Sequence, residues 1–315
     1  GALGCFAFGV GSTDMANAWY TEDVQVKVPH TVRYDLVGKP GADICAKDII
    51  LFIMAQDFIR SGQAIGKVLE FGGDGLAYLN VDERATLTNM AVEAGATTGI
   101  IEPDDVTAAH LQHFRGWDDQ RARAGFLCSD VDAQYDARFA IDLAGIAPMV
   151  ATPGDPRNGV RADSLVGDDK TVRIDIAYGG SCTGGKMTDM DMYADVLRRG
   201  LDLGMTVPSD VAFFIQFGSQ RIKQHAQAKG YLDIFRRAGA RTIEPSCGAC
   251  INAGPGVSKS AREVTVSAIN RNFPGRSGPG PVYLASPRVV AASALAGHIT
   301  TPEALFGSNV VVNLP

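Results

Sequence analysis

The 315-residue sequence contains no window of about 18 uninterrupted apolar residues, which argues against a membrane-spanning helix. No positively charged leader precedes an apolar stretch at the amino terminus, so nothing there reads as a secretory signal. Six cysteines are too few for a disulfide framework in a chain of this length, and a reducing, cytoplasmic compartment is expected. Runs of lysine and arginine are missing as well. With 29 basic and 35 acidic residues the net charge is -6, which makes nucleic acid a poor partner but suits a small anion held by a few arginines. Self-similarity at a period of about 20 to 50 residues is absent, and so is any low-complexity segment.

What is present is an ordinary globular composition, 46% hydrophobic and 20% charged. The length exceeds what one core organises, so two or three domains of roughly 100 to 150 residues are expected. The opening Gly1-Ala2-Leu3-Gly4 belongs to a glycine-rich segment that runs to Gly11 and reads like a chain cut inside a domain. Alternation predicts strands at Val24–Val28 and Val32–Val37, and helical spacing predicts a helix over Ala46–Arg60. Strands at Lys67–Phe71 and Thr97–Ile101 alternate with helices at Val81–Glu93 and Asp104–Phe114. Proline, glycine and aspartate mark Pro148–Pro156 and Val160–Asp169 as linker or long loop. The alternation then restarts with strands at Val172–Tyr178 and Val211–Phe217, a helix at Asp189–Leu203, and a helical stretch Gln220–Ala238 broken at Gly230. This pattern predicts an α/β chain of consecutive domains with mainly parallel sheets.

Cys182 stands in Gly179-Gly180-Ser181-Cys182-Thr183-Gly184-Gly185, between a predicted strand and a predicted helix, where small residues let backbone approach a bulky ligand. Cys247 and Cys250 form a CxxC within Pro245-Ser246-Cys247-Gly248-Ala249-Cys250. A CxxC alone is weakly specific for an iron-sulfur centre, since it also serves zinc sites and thiol-disulfide exchange. A redox dithiol has no need of Cys182, and zinc would need a fourth ligand, for which no histidine lies close in sequence. Three thiolates on a four-iron cluster leave one iron open, and that iron can act as a Lewis acid toward a hydroxyl and a carboxylate. Cys5, Cys45 and Cys128 have no paired spacing and are expected to be small buried residues.

These residues resemble the aconitase and isopropylmalate isomerase superfamily of hydro-lyases. The resemblance starts at Leu3-Gly4-Cys5-Phe6-Ala7-Phe8-Gly9-Val10-Gly11 and passes through Ala46-Lys47-Asp48-Ile49-Ile50, Thr88-Asn89-Met90-Ala91-Val92-Glu93-Ala94-Gly95-Ala96 and both cysteine motifs. It ends with Asn270-Arg271-Asn272-Phe273-Pro274-Gly275-Arg276 and Leu284-Ala285-Ser286-Pro287. Arg276-Ser277-Gly278-Pro279-Gly280 and Ala291–Gly297 place it nearer the large subunits of isopropylmalate isomerase and homoaconitase than long single-chain aconitases.

The resemblance implies three-layer α/β/α domains: a remnant of a first domain over 1–30, a second over 31–145, and a third over 146–315 carrying the cluster. It makes Cys182, Cys247 and Cys250 the ligands of a [4Fe-4S] cluster with one open iron site. It puts Asn89 and Glu93 in the active site, where spacing of four residues on a helix would give them one face. Asn270, Arg271 and Arg276 become substrate-carboxylate residues, a task that suits the fixed donor fork of arginine. The implied reaction is reversible dehydration of a hydroxy di- or tricarboxylic acid such as isopropylmalate, homocitrate or citrate, the first belonging to leucine biosynthesis.

Gly184 stands where the family usually has asparagine, a departure that bears on a local hydrogen bond and not on the thiolate. The family's Asp-Ser-His motif would precede Gly1, and its catalytic serine sits on a swivel domain or small subunit, so the chain by itself is expected to be incomplete for catalysis. His30, His110, His113, His225 and His298 match no family motif and read as surface or packing residues. Two other readings remain open: a regulatory relative that binds RNA in its apo form, and a zinc-stabilised structural module.

Overall fold

The computed structural model describes residues 1–167 and 170–307. The chain forms two compact units, one of Gly1–Pro40 with Asp57–Ala144, the other of Gly41–Gln56 with the residues from Gly145 onward.

The first unit is built on a four-stranded parallel sheet ordered β3-β2-β1-β4, with β1 at Thr31–Val37, β2 at Val68–Gly72, β3 at Thr98–Ile101 and β4 at Ala137–Asp142. Tyr34 stacks between Phe71 and Phe139, centroids 5.9 and 5.2 Å away, so one face of the sheet is aromatic core. Arg33, on the alternate face, bonds Asp35, Glu70 and Glu102 at 2.8, 2.5 and 2.7 Å. The Val81–Met90 helix starts with an Asn80 capping box and is fixed by the fully buried Arg84, which bonds both oxygens of Asp104 at 2.6 Å.

Val24–Val28 is not a strand: its residues lie in irregular chain, with Val28 86% exposed. Alternation makes a strand only where a neighbouring ladder accepts its backbone groups, and none does here. The predicted Ala46–Arg60 helix is two pieces, Ala46–Met54 in the second unit and Asp57–Arg60 in the first.

The second unit holds a seven-stranded sheet ordered β6-β5-β11-β10-β7-β8-β9. The strands are β5 Met149–Ala151, β6 Gly159–Arg161, β7 Ile176–Gly179, β8 Ala212–Gln216, β9 Arg241–Ile243, β10 Thr265–Ser267 and β11 Val282–Ala285. Neighbours from β11 to β9 run parallel, while β5 pairs antiparallel with both β11 and β6. The stretch Pro148–Pro156, predicted as loop, therefore contains a buried strand; three residues are too few to show a period. Phe213 and Ile215 of β8 join the core with Tyr193, Leu197, Val290 and Leu295 from the Met187–Asp202 and Pro287–Ala296 helices. Phe214 and Gln216 alternate to the other face, beside Tyr178 of β7. The predicted break at Gly230 is present, with φ 73° between the Gln220–Ala228 and Tyr231–Ala238 helices. Among the described residues, no helix is long and apolar enough to cross a membrane.

Candidate functional site

Parallel strands put all their carboxyl ends on one edge of a sheet, and the loops that leave β7, β9 and β10 carry Cys182, Cys247 with Cys250, and Asn270, Arg271 and Arg276. After β7 the chain turns sharply: Gly180 has φ 117° and Ser181 φ 66° before the four-residue Ser181–Gly184 helix that holds Cys182. A Cβ on Gly180 would stand 2.1 Å from the Gln216 carbonyl oxygen, so only glycine fits. Gly184 has a comparable cause, since a Cβ there would come 2.5 Å from Ala268 Cβ. Tyr193 ties the turn together, its hydroxyl accepting from Gly180 N at 3.0 Å and donating to Gly184 O at 2.9 Å. Lys186 donates to the Thr183 carbonyl and pairs with Asp189 at 2.7 Å. Ser181 is buried at a left-handed φ that costs a non-glycine residue energy, and its Oγ has no hydrogen-bond partner among the described residues.

The CxxC forms a tight turn, with Cys250 N donating to Cys247 O at 3.1 Å and Asn252 closing it at φ 61°. Cys250 is buried, its Sγ 3.4 Å from Asn270 Oδ1 and 3.9 Å from Arg276 Nη2. Burial raises the Cys250 thiol above its ordinary value, Arg276 and Arg271 oppose this, and the charge of Cys182 adds to it. Cys182, Arg271 and Arg276 are thus each near enough to act electrostatically on Cys250. Ser277 Oγ donates to Ala249 O at 2.7 Å, joining the arginine loop to the CxxC loop. Arg276 Nε is buried without a hydrogen-bond partner among the described residues, as is Asn272 Oδ1. Buried donors are normally satisfied, so an orphaned guanidinium N–H beside a cysteine points to a ligand that would complete it.

Asn89 and Glu93 belong to the first unit. Asn89 is in the Val81–Met90 helix, but Glu93 lies past its end, in a turn where its N–H donates to Met90 O at 3.1 Å. The expectation of one helical face for both is therefore corrected; Glu93 is 8% exposed. Of the cysteines expected to be buried, only Cys45 is, as the N-cap of Ala46–Met54; Cys5 and Cys128 lie in irregular chain and are exposed. His30 pairs with Asp136, His225 with Asp191, and His298 with the Ala296 carbonyl, while His110 and His113 pack on Phe114.

Residues that sequence reasoning passed over also support these loops. Lys47 is buried and donates to Ile269 O at 2.6 Å and Ala268 O at 3.2 Å, just before Asn270. Asp48 accepts from Met149 N at 2.9 Å and Cys45 N at 3.1 Å, and burial pushes its carboxyl up to about 6. Tyr178 and Gln216 lie beneath the cysteine loops. A charged pair within an otherwise apolar helical run was the signal available for the first two; none marked the others.

Among the described residues, no three histidine, cysteine, aspartate or glutamate side chains close around a point that would hold a single metal ion. Such an ion needs ligands within about 2.3 Å. A four-iron cluster is an extended body that takes its thiolates from farther apart, and three free cysteines on two loops that both pack on Gln216, with the orphaned Ser181 Oγ and Arg276 Nε beside them, fit it.

The family model described as aconitase (aconitate hydratase) matches residues 1–297. The large subunit of 3-isopropylmalate dehydratase from Campylobacter fetus is 40% identical over 307 residues, which are 97% of this chain and 70% of that protein. The protein of the same name from Clostridioides difficile is 39% identical over 308 residues, with the same coverage. The holo-form of aconitase X from Thermococcus kodakaraensis aligns over 77% of this chain and 49% of that one, about half its length, with 14% identity and a TM-score of 0.41.

Proposed function

The chain belongs to the aconitase family, and from that premise we propose that it is the cluster-binding part of a hydro-lyase that interconverts isomers of a hydroxy dicarboxylic acid, 3-isopropylmalate by analogy with its curated relatives. The observation that carries the proposal is the buried Cys250 sulfur 3.4 Å from Asn270 Oδ1 and 3.9 Å from Arg276 Nη2, with Arg276 Nε buried and without a hydrogen-bond partner among the described residues.

In this reading Cys182, Cys247 and Cys250 hold a [4Fe-4S] cluster. When bound, the cluster supplies a Lewis acid that weakens the carbon–oxygen bond of the substrate hydroxyl. Arg276 and Arg271 bind substrate carboxylate, and the orphaned Arg276 Nε–H supplies a directed, charge-assisted donor. Asn270 joins them in binding substrate carboxylate, its Oδ1 being freed from the 3.4 Å contact with the Cys250 thiol once that sulfur is a thiolate ligand. Glu93 delivers the proton with which the departing hydroxyl leaves as water, and Asn89 donates a hydrogen bond from its amide. The base that removes the proton from the neighbouring carbon is a serine of a swivel domain or small subunit.

The test is anaerobic reconstitution of the chain with ferrous iron and sulfide, followed by electron paramagnetic resonance with candidate hydroxy acids added. A cluster signal perturbed by 3-isopropylmalate, and lost in Cys182→Ala, Cys247→Ala and Cys250→Ala but kept in Cys45→Ala, is expected. Binding of one zinc with no iron or sulfide would overturn the reading.

A further inference from the structure

Two side chains underneath the cysteine loops take no part in the chemistry just proposed, yet they touch both loops. Tyr178, the third residue of β7, and Gln216, the last of β8, are each 0% exposed. The Tyr178 hydroxyl donates to Gln216 Oε1 at 2.8 Å, and the backbone amide of Ala249, inside the CxxC, is near enough to act on it electrostatically. Gln216 Nε2 donates in turn to Ser246 Oγ at 2.6 Å, the residue before Cys247. A Cβ on Gly248 would stand 2.5 Å from the Tyr178 hydroxyl, and one on Gly256 would stand 2.2 Å from the Tyr178 ring. The CxxC loop is therefore draped on this pair at van der Waals distance, with its glycines where side chains would not fit. The other loop rests on the same support, because Gly180 and Gly185 lie so close to the Gln216 carbonyl that a Cβ would come within 2.1 and 2.9 Å of it.

From this we infer that Tyr178 and Gln216 are positioning residues that set the Cys182 loop and the CxxC loop in register, so that the three thiols are placed for a cluster before any metal arrives. The inference rests on the iron-sulfur reading above. A hydrogen bond from tyrosine to glutamine and from glutamine to serine has fixed direction, and backbone draped on it loses freedom that a metal would otherwise have to remove. Outer partners of this kind commonly change metal affinity by about 10- to 100-fold.

The test compares the 315-residue chain with Tyr178→Phe, which keeps the ring and removes the oxygen, and with Ser246→Ala, which releases the far end from an exposed position. After anaerobic reconstitution with ferrous iron and sulfide, Tyr178→Phe is expected to lose its visible cluster absorbance in air about tenfold faster than the unaltered chain. Ser246→Ala is expected to lose it at an intermediate rate. In the apo chain, iodoacetamide should alkylate Cys247 and Cys250 faster in both variants, with Cys182 changed less; a purely structural role would shift the thermal midpoint and leave the alkylation rates of the folded chain unchanged. If the unaltered chain takes up a cluster and both variants keep it equally long, with equal alkylation rates, the inference is wrong. If the unaltered chain takes up no cluster, the proposed function fails, and the alkylation rates still decide whether this pair sets the loops.

Discussion

Lys47 buries its ammonium against the backbone, donating to Ile269 O at 2.6 Å and Ala268 O at 3.2 Å, where β10 gives way to Asn270 and Arg271. A lysine from the Ala46–Met54 helix thereby holds the segment that presents the proposed carboxylate-binding residues. Lys47→Met would fill the volume but leave both carbonyls without their charged donor. It is expected to lower stability by about 3 kcal/mol, and urea denaturation of the two chains measures it.

Asp48, the next residue, gives stability a pH signature. Its carboxyl is raised from the ordinary 3.8 to about 6, chiefly by burial. A raised acid stabilises the folded state fully below its unfolded pKa, and that contribution disappears as the pH rises through the folded value. Between pH 3.8 and about 6 this group should therefore cost the fold on the order of 3 kcal/mol. Asp104, lowered by its bonds to Arg84 against the opposing effect of burial, acts in the reverse sense, losing its contribution as the pH falls. The difference in unfolding free energy between the unaltered chain and Asp48→Asn, followed from pH 4 to pH 7, isolates Asp48; a flat difference would contradict the assignment.

Arg84 is the largest fully buried side chain of the first unit and bonds Leu79 O, Leu76 O, Thr107 and both oxygens of Asp104. Replacing it with methionine strands the Asp104 charge and two carbonyls. A loss of about 3 to 5 kcal/mol is expected. Because Asn89 is on the same helix, amide hydrogen exchange in the Val81–Met90 segment should rise in step.

Arg276→Lys tests carboxylate recognition. Lysine keeps the charge but has no Nε–H fork, so the hydroxy acid concentration that perturbs the reconstituted cluster signal should increase by roughly tenfold or more. An unchanged concentration would remove Arg276 from the proposed binding group.

The amino-acid sequence alone determined the α/β alternation and the helix break at Gly230, because each depends on residue periodicity or local backbone freedom. Val24–Val28 shows where that reasoning ends: alternation describes a chain that can pair, and pairing depends on a neighbour. Short strand β5 and the transfer of Ala46–Met54 to the second unit were equally invisible, since both arise from long-range pairing. Only the tertiary structure decided that Lys47 and Asp48 brace β10 and β5, that Glu93 lies past its helix, and that Tyr178 and Gln216 underlie both cysteine loops. The physical reason is that supporting side chains are ordinary residues in sequence, made specific by what the fold brings within 3 Å of them.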